Sequence, residues 1–178
     1  MQDMALPLAR QYFRSGEYAK ALPYYQAAIA SMEGDTIPDV LFEAADAYDE
    51  VGDCRRALLY YERYREMISR YQRSEVDWKI GSCSLRLGQG LRSVGGDEEA
   101  LAHIERTVAL GEPRSDQARA YFEIGEILSD LGQCRDAMDA FLEVRRADQT
   151  GTSSLVDRAQ WRYDELRFMG PMGGGLGV

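Results

Sequence analysis

Asparagine is missing altogether from this chain of 178 residues, so no N-glycosylation sequon can occur. Lysine is confined to Lys20 and Lys79 against nineteen arginines, and His103 is the only histidine. With no histidine–cysteine or histidine–carboxylate cluster at ligand spacing, no metal site and no cofactor are expected. No serine lies in a Gly-x-Ser-x-Gly elbow and no phosphate loop exists. Gly88-Gln89-Gly90 lacks the third glycine and preceding strand of a dinucleotide site. No catalytic residues are therefore expected, and the chain reads as a non-enzyme. Apolar runs never approach the ~20 residues of a membrane span. The formal charge of -9 argues against nucleic acid and anionic membranes as partners, since both need basic surface.

Two further scarcities leave alternatives open. The N-terminus has no basic end or apolar core of a signal peptide. The chain is expected in the cytoplasm if Met1 is the native start, and in the periplasm or outside the cell if the numbering begins after processing. Cys54, Cys83 and Cys134 are odd in number and form no C-x-x-C. Cys54 and Cys134 each stand two residues after a turn glycine, which suits apolar packing. A Cys54–Cys83 disulfide is compatible only with an oxidising compartment, and spacing alone does not establish connectivity.

What the chain does have is one phrase written four times: a glycine, four residues, an alanine, then an apolar residue. The copies run Gly16 to Leu22, Gly52 to Leu58, Gly95 to Leu101 and Gly132 to Met138. After each turn one helical face is apolar or small: Ala21, Tyr25, Ala28; Ala57, Tyr61, Tyr64; Ala100, Ile104, Thr107; Ala137, Phe141, Val144. Before it stand Leu8, Ala9, Tyr12; Ala44, Ala45, Tyr48; and Ile124, Gly125, Leu128, where the small middle residue permits close approach. Neither helix can bury its face alone, so stacked hairpins are the expected fold. Thr36 with Asp39, Ser74 with Asp77, and Ser154 with Asp157 read as N-caps, and Ser115 reads as the cap of a further helix. Pro38 fits a first turn, whereas Pro23 falls inside a helix, which it should kink or start late.

These residues resemble the tetratricopeptide repeat family over nearly the whole chain to Phe168. The resemblance implies an all-α, right-handed α-solenoid of about four helix-turn-helix repeats (2–35, 38–71, 74–112 and 115–149) with a capping helix over 154–168. Residues 1–169 then form one domain, followed by a glycine-rich tail over 170–178. The turn glycines of repeats one and two are 36 residues apart, but the third motif begins at Gly95, seven residues beyond Gly88. Either the first helix of repeat three runs on or Gly88 to Val94 loops out. The spacing of Leu87, Leu91 and Val94 favours the longer helix. The stretches Ser74 to Gly88 and Pro113 to Gly132 are also similar to periplasmic and outer-membrane tetratricopeptide proteins of the β-barrel assembly and Tol-Pal systems. That likeness implies an envelope adaptor.

The family lines a ligand groove mainly with its first helices. Carried onto this sequence, the resemblance implies Arg10, Phe13 and Arg14 from repeat one. It implies Phe42, Asp46, Asp49 and Glu50 from repeat two, and Phe122, Glu126, Ser129 and Asp130 from repeat four. Arg86 and Arg92 are candidates in repeat three. An aromatic beside acids suits an extended peptide with basic or amino groups, and the bland alternative is a solvated helix face. Two functions follow: a scaffold that captures a protein or peptide, or a self-assembling subunit of a homo-oligomer or filament. In the second, Met172, Leu176 and Val178 of the tail would dock on a neighbouring copy.

Overall fold

The computed structural model describes residues 4–32, 37–148, 150 and 153–169. Thr36 and the tail residues Met172, Leu176 and Val178 lie outside these, so the expectations attached to them are not addressed by the structure. Among the described residues every regular element is helical. The α-helices are α1 (Ala5–Arg14), α2 (Tyr18–Ser31), α3 (Pro38–Glu50), α4 (Cys54–Met67), α5 (Ser74–Ser93), α6 (Asp97–Leu110), α7 (Gln117–Asp130), α8 (Cys134–Ala147) and α9 (Ser154–Met169). The fold is thus all-α and built of successive helix-turn-helix hairpins. By its contacts the chain divides into two compact units, Met1–Cys83 and Ser84–Val178, with the division inside α5.

The repeated phrase has a single backbone explanation. Gly16, Gly52, Gly95 and Gly132 all have φ between 75° and 82°, a left-handed conformation that is costly for any residue with a Cβ. Each glycine N–H donates to the carbonyl three residues back, as Gly52 does to Asp49 at 2.9 Å. The next residue donates five back: Glu17 to Tyr12, Asp53 to Tyr48, Gly96 to Leu91, Gln133 to Leu128. This pair of bonds satisfies the carbonyls left over at the helix end. The same residue's carbonyl then accepts from the alanine of the phrase, Ala21, Ala57, Ala100 or Ala137, which opens the next helix. All four alanines are fully buried, so each position accepts a methyl group and no more.

In the first unit, α1 packs on α2, α2 on α3 and α3 on α4. Ala9, Ala21, Tyr25, Val40, Ala44 and Ala47 form one core cluster. Tyr25, Tyr48 and Tyr61 are among the largest side chains fully buried in the structure. Burial of a phenol requires a partner for its hydroxyl. Tyr25 donates to Glu43, Tyr61 donates to Asp46, and Tyr48 accepts from Gln26. The helix α2 begins at Tyr18 and continues through Pro23, so the proline does not delay its start.

In the second unit α7 packs on α6, α8 and α9. Phe141 lies against Phe122 with ring centroids 5.6 Å apart. A Cβ on Gly125 would stand 2.6 Å from the Phe141 ring, which explains why the small position of this hairpin is glycine. The longer first helix is confirmed: α5 runs unbroken to Ser93. Val94 follows it and is exposed.

Three cap assignments need correction. Ser74 and Ser154 are the first residues of α5 and α9, not the residues before them. The carbonyl of Arg73 accepts from Asp77, and that of Ser153 accepts from Val156, so each helix starts one residue earlier than the serine pattern suggests. Ser115 sits inside a short 3₁₀ turn, Arg114–Asp116, and α7 opens without a side-chain cap. The loop before α9 is instead tied by Asp148, whose carboxylate accepts from the Ser153 and Thr150 amides. Those bonds, Ser153's foremost, hold its pKa down at about 2.

Candidate interaction face

The first helices of successive hairpins are joined by charge. In the first unit Arg10 of α1 grips Glu43 of α3, its Nε at 2.9 Å and Nη2 at 2.9 Å from the two carboxylate oxygens. One hairpin later, Asp46 of α3 pairs with Lys79 of α5 at 3.0 Å. The sign of the rung is reversed: cation then anion in the first, anion then cation in the second. Glu43 raises the pKa of Arg10 chiefly through their hydrogen bond. Burial pulls Lys79 down, but Asp46, with Asp49 and Glu50 nearby, outweighs it and the pKa is raised.

The second unit repeats the device more densely. Arg92 of α5 reaches Glu123 at 2.6 Å and Asp130 at 3.2 Å on α7. Arg162 of α9 reaches Glu126 at 2.6 Å and Ser129 at 3.2 Å on α7, and pairs with Glu165 on its own helix. Gln89, Arg92, Ser93 and Glu123 line a shallow hollow between α5 and α7. Arg119 also approaches Glu123, at 3.9 Å. Three guanidiniums therefore face four carboxylates, and the surface stays acidic. These pairs hold the long side chains of Arg92 and Arg162 in one conformation.

Against this frame the expected groove residues fall into three groups. Arg10, Asp46, Glu126, Ser129 and Asp130 belong to the charged rungs. The aromatics are packing groups: Phe13 meets Tyr18 and Tyr25 edge-on, Phe42 meets Tyr61 and Tyr64, and Phe122 is 6% exposed. Phe122 is closed from above by Arg158, whose guanidinium carbon sits 4.7 Å from the ring centroid. Arg14 and Glu50 are exposed, and Asp49 turns toward Cys83, 3.4 Å from its sulfur.

Glu43, Lys79, Glu123 and Arg162 were not singled out from the sequence, yet they complete the rungs. Their signal is a charge one helical turn before the register of Arg10 and Asp46 in the following repeat, or in that register itself for Arg162. Asp49, Cys54 and Cys83 also converge, with ligand atoms all within 4.8 Å of one another. No helix among the described residues is long and apolar enough to cross a membrane.

No family model matches the chain, and no curated protein matches it. Among solved structures it is similar to a crystal structure of MamA protein, at 15% identity over 99% of this chain and 96% of that one, with a TM-score of 0.46. It is similar to MamA from Desulfovibrio magneticus RS-1, at 18% identity over 99% and 97%, with a TM-score of 0.47. It is also similar to a Podosopora anserina putative kinesin light chain with nearly identical TPR-like repeats, at 16% identity over 94% and 86%, with a TM-score of 0.44.

Proposed function

We propose that the chain is a non-catalytic protein-interaction scaffold whose first-helix face takes an extended, basic segment of a partner. The observation that carries this reading is the second unit's hollow, rimmed by Glu123 and bordered by Glu126, Ser129 and Asp130. Carboxylates outnumber guanidiniums there, and Asp130 keeps 53% of its side chain exposed. The acids are already aimed by Arg92 and Arg162, so a partner's ammonium or guanidinium meets fixed acceptors instead of mobile ones. The groups most available to it are Asp130 and the outer edge of Glu126.

Fluorescence anisotropy with an extended lysine-rich peptide and its glutamate counterpart tests the proposal. The lysine-rich peptide should bind, the glutamate peptide should not, and added salt should weaken binding. Asp130→Asn should reduce affinity by about fivefold, as expected for the loss of one partly exposed charge contact. Equal binding of both peptides, or indifference to Asp130→Asn, would overturn it.

One observation favours self-assembly as a second reading. Trp161, Phe168 and Met169 of α9 are 63%, 79% and 75% exposed, an apolar surface on the helix that would otherwise cap the array. Its occupant would be the 170–178 segment of another copy, with Met172, Leu176 and Val178 as anchors. Removing 170–178 should then abolish large species in light scattering, and an unchanged monomer before and after would exclude this reading.

A further inference from the structure

We propose that Cys54 and Cys83 form an oxidation site, a dithiol that peroxide closes to an intrachain disulfide with Asp49 as proton acceptor. The two sulfurs stand 2.7 Å apart, although the residues are 29 positions apart in sequence. Bond formation at ~2.05 Å needs a further approach of well under one ångström. Two soft ligands of a tetrahedral zinc ion, each at ~2.3 Å, would have to separate instead. The sulfur–sulfur distance thus lies nearer to the disulfide.

Each residue has a distinct position. Cys54 is the first residue of α4, beside the capping Asp53, at a helix N-terminus whose dipole favours a thiolate. It is 6% exposed and Cys83 is fully buried, so a small oxidant arrives at Cys54. Asp49 Oδ1 lies 3.4 Å from Cys83 Sγ and is placed to take the proton of that thiol.

The steps balance as follows. The Cys54 thiolate attacks one oxygen of hydrogen peroxide, the O–O bond breaks, and Cys54 becomes a sulfenic acid as hydroxide leaves. Cys83 then attacks the sulfenic sulfur while its proton passes to Asp49. The S–O bond breaks, and the departing hydroxide takes up a proton to leave as water. Two thiols and one peroxide give one disulfide and two waters.

Cys134 is an internal control, because it occupies the same place in its own hairpin, as first residue of α8. The test treats the full chain with hydrogen peroxide, quenches in acid, unfolds, alkylates and maps the cysteines by mass spectrometry. The expected result is an unalkylated Cys54–Cys83 crosslink, with Cys134 alkylated and the crosslink lost after reduction. In Cys83→Ser, Cys54 should be trapped as its sulfenic acid by dimedone. Asp49→Asn should slow disulfide closure on the order of 10²-fold, the scale of a lost general base. Cys134→Ser should close normally, which keeps the test intact if Cys83→Ser folds poorly. Alkylation of all three cysteines after peroxide, or crosslinks through Cys134 between chains, would overturn the proposal. So would stoichiometric zinc that shields Cys54 and Cys83 until a chelator removes it.

Discussion

Gly125→Ala tests how tightly the α7–α8 hairpin is closed. The added Cβ would meet three atoms of the Phe141 ring at 2.6 to 2.8 Å, where real side chains essentially never approach. Phe141 is 2% exposed and also meets Phe122, so relief requires its ring to give up that contact or the helices to spread. Three contacts this short place the cost of overpacking in the upper part of its usual range, ~2–3 kcal/mol. Alanine in place of glycine within a helix returns ~1 kcal/mol of propensity. The expected net loss is about 1–2 kcal/mol, or roughly 2–8 °C in melting temperature for a chain of this size. Far-UV circular dichroism in a urea series measures it. The decisive comparison is the double variant with Phe141→Leu. Removing the ring should relieve the clash, leaving a favourable coupling of at least ~1 kcal/mol between the two sites. Gly132→Ala is the contrast: nothing lies within 4 Å of its added Cβ, but φ is +76°. Its cost, ~1–2 kcal/mol, is backbone strain and should be indifferent to Phe141→Leu. A Gly125→Ala protein as stable as the parent, or strict additivity with Phe141→Leu, would refute the close approach.

Arg162→Ala should lose about 1–2 kcal/mol, because Glu126 and Glu165 would keep their partly buried charges without it; chemical denaturation checks this, and Glu126→Gln with Arg162→Ala should recover part of the loss. Tyr61 is pushed above the ordinary phenol range by burial and by its bond to Asp46, and Tyr25 rises by burial and Glu43. A raised folded pKa leaves the phenols' stabilisation complete below ~10, the unfolded value, and removes it progressively as pH climbs above that. Urea midpoints should therefore fall above pH ~10, and phenolate absorbance should show fewer than all eleven tyrosines titrating while the fold persists. Full phenolate titration with unchanged helicity would contradict it.

The fold was legible because its turn is written in residues that only one backbone geometry needs. Glycine at positive φ and a buried alanine five residues on recur whatever the helices between them contain. The longer α5 was legible for a similar reason, since Leu87 and Leu91 kept their face. Helix starts at Ser74 and Ser154 were misread because hydroxyl–acid spacing fits a first helical residue nearly as well as a cap, and Ser115 because a short 3₁₀ turn precedes α7. Ahead of α9 it is Asp148 that ties the chain, by accepting from the amide of Ser153, the residue before the helix. The charged rungs were not legible from one helix at a time. Arg10 meets Glu43 and Asp46 meets Lys79 across a whole repeat less one turn, so each partner reads as an ordinary surface charge in its own window. Phe122 illustrates the reverse error. Its place on a first helix suggested a groove, and Arg158 of α9 covers it.

Counting in steps of 36 or 44 residues, Ala9, Ala45, Gly81 and Gly125 occupy one register, and the next residue in it is Trp161. An indole there bars a further hairpin from closing as Phe141 closes over Gly125. The close approach that Gly125 allows on α7 therefore has no counterpart at the matching place on α9.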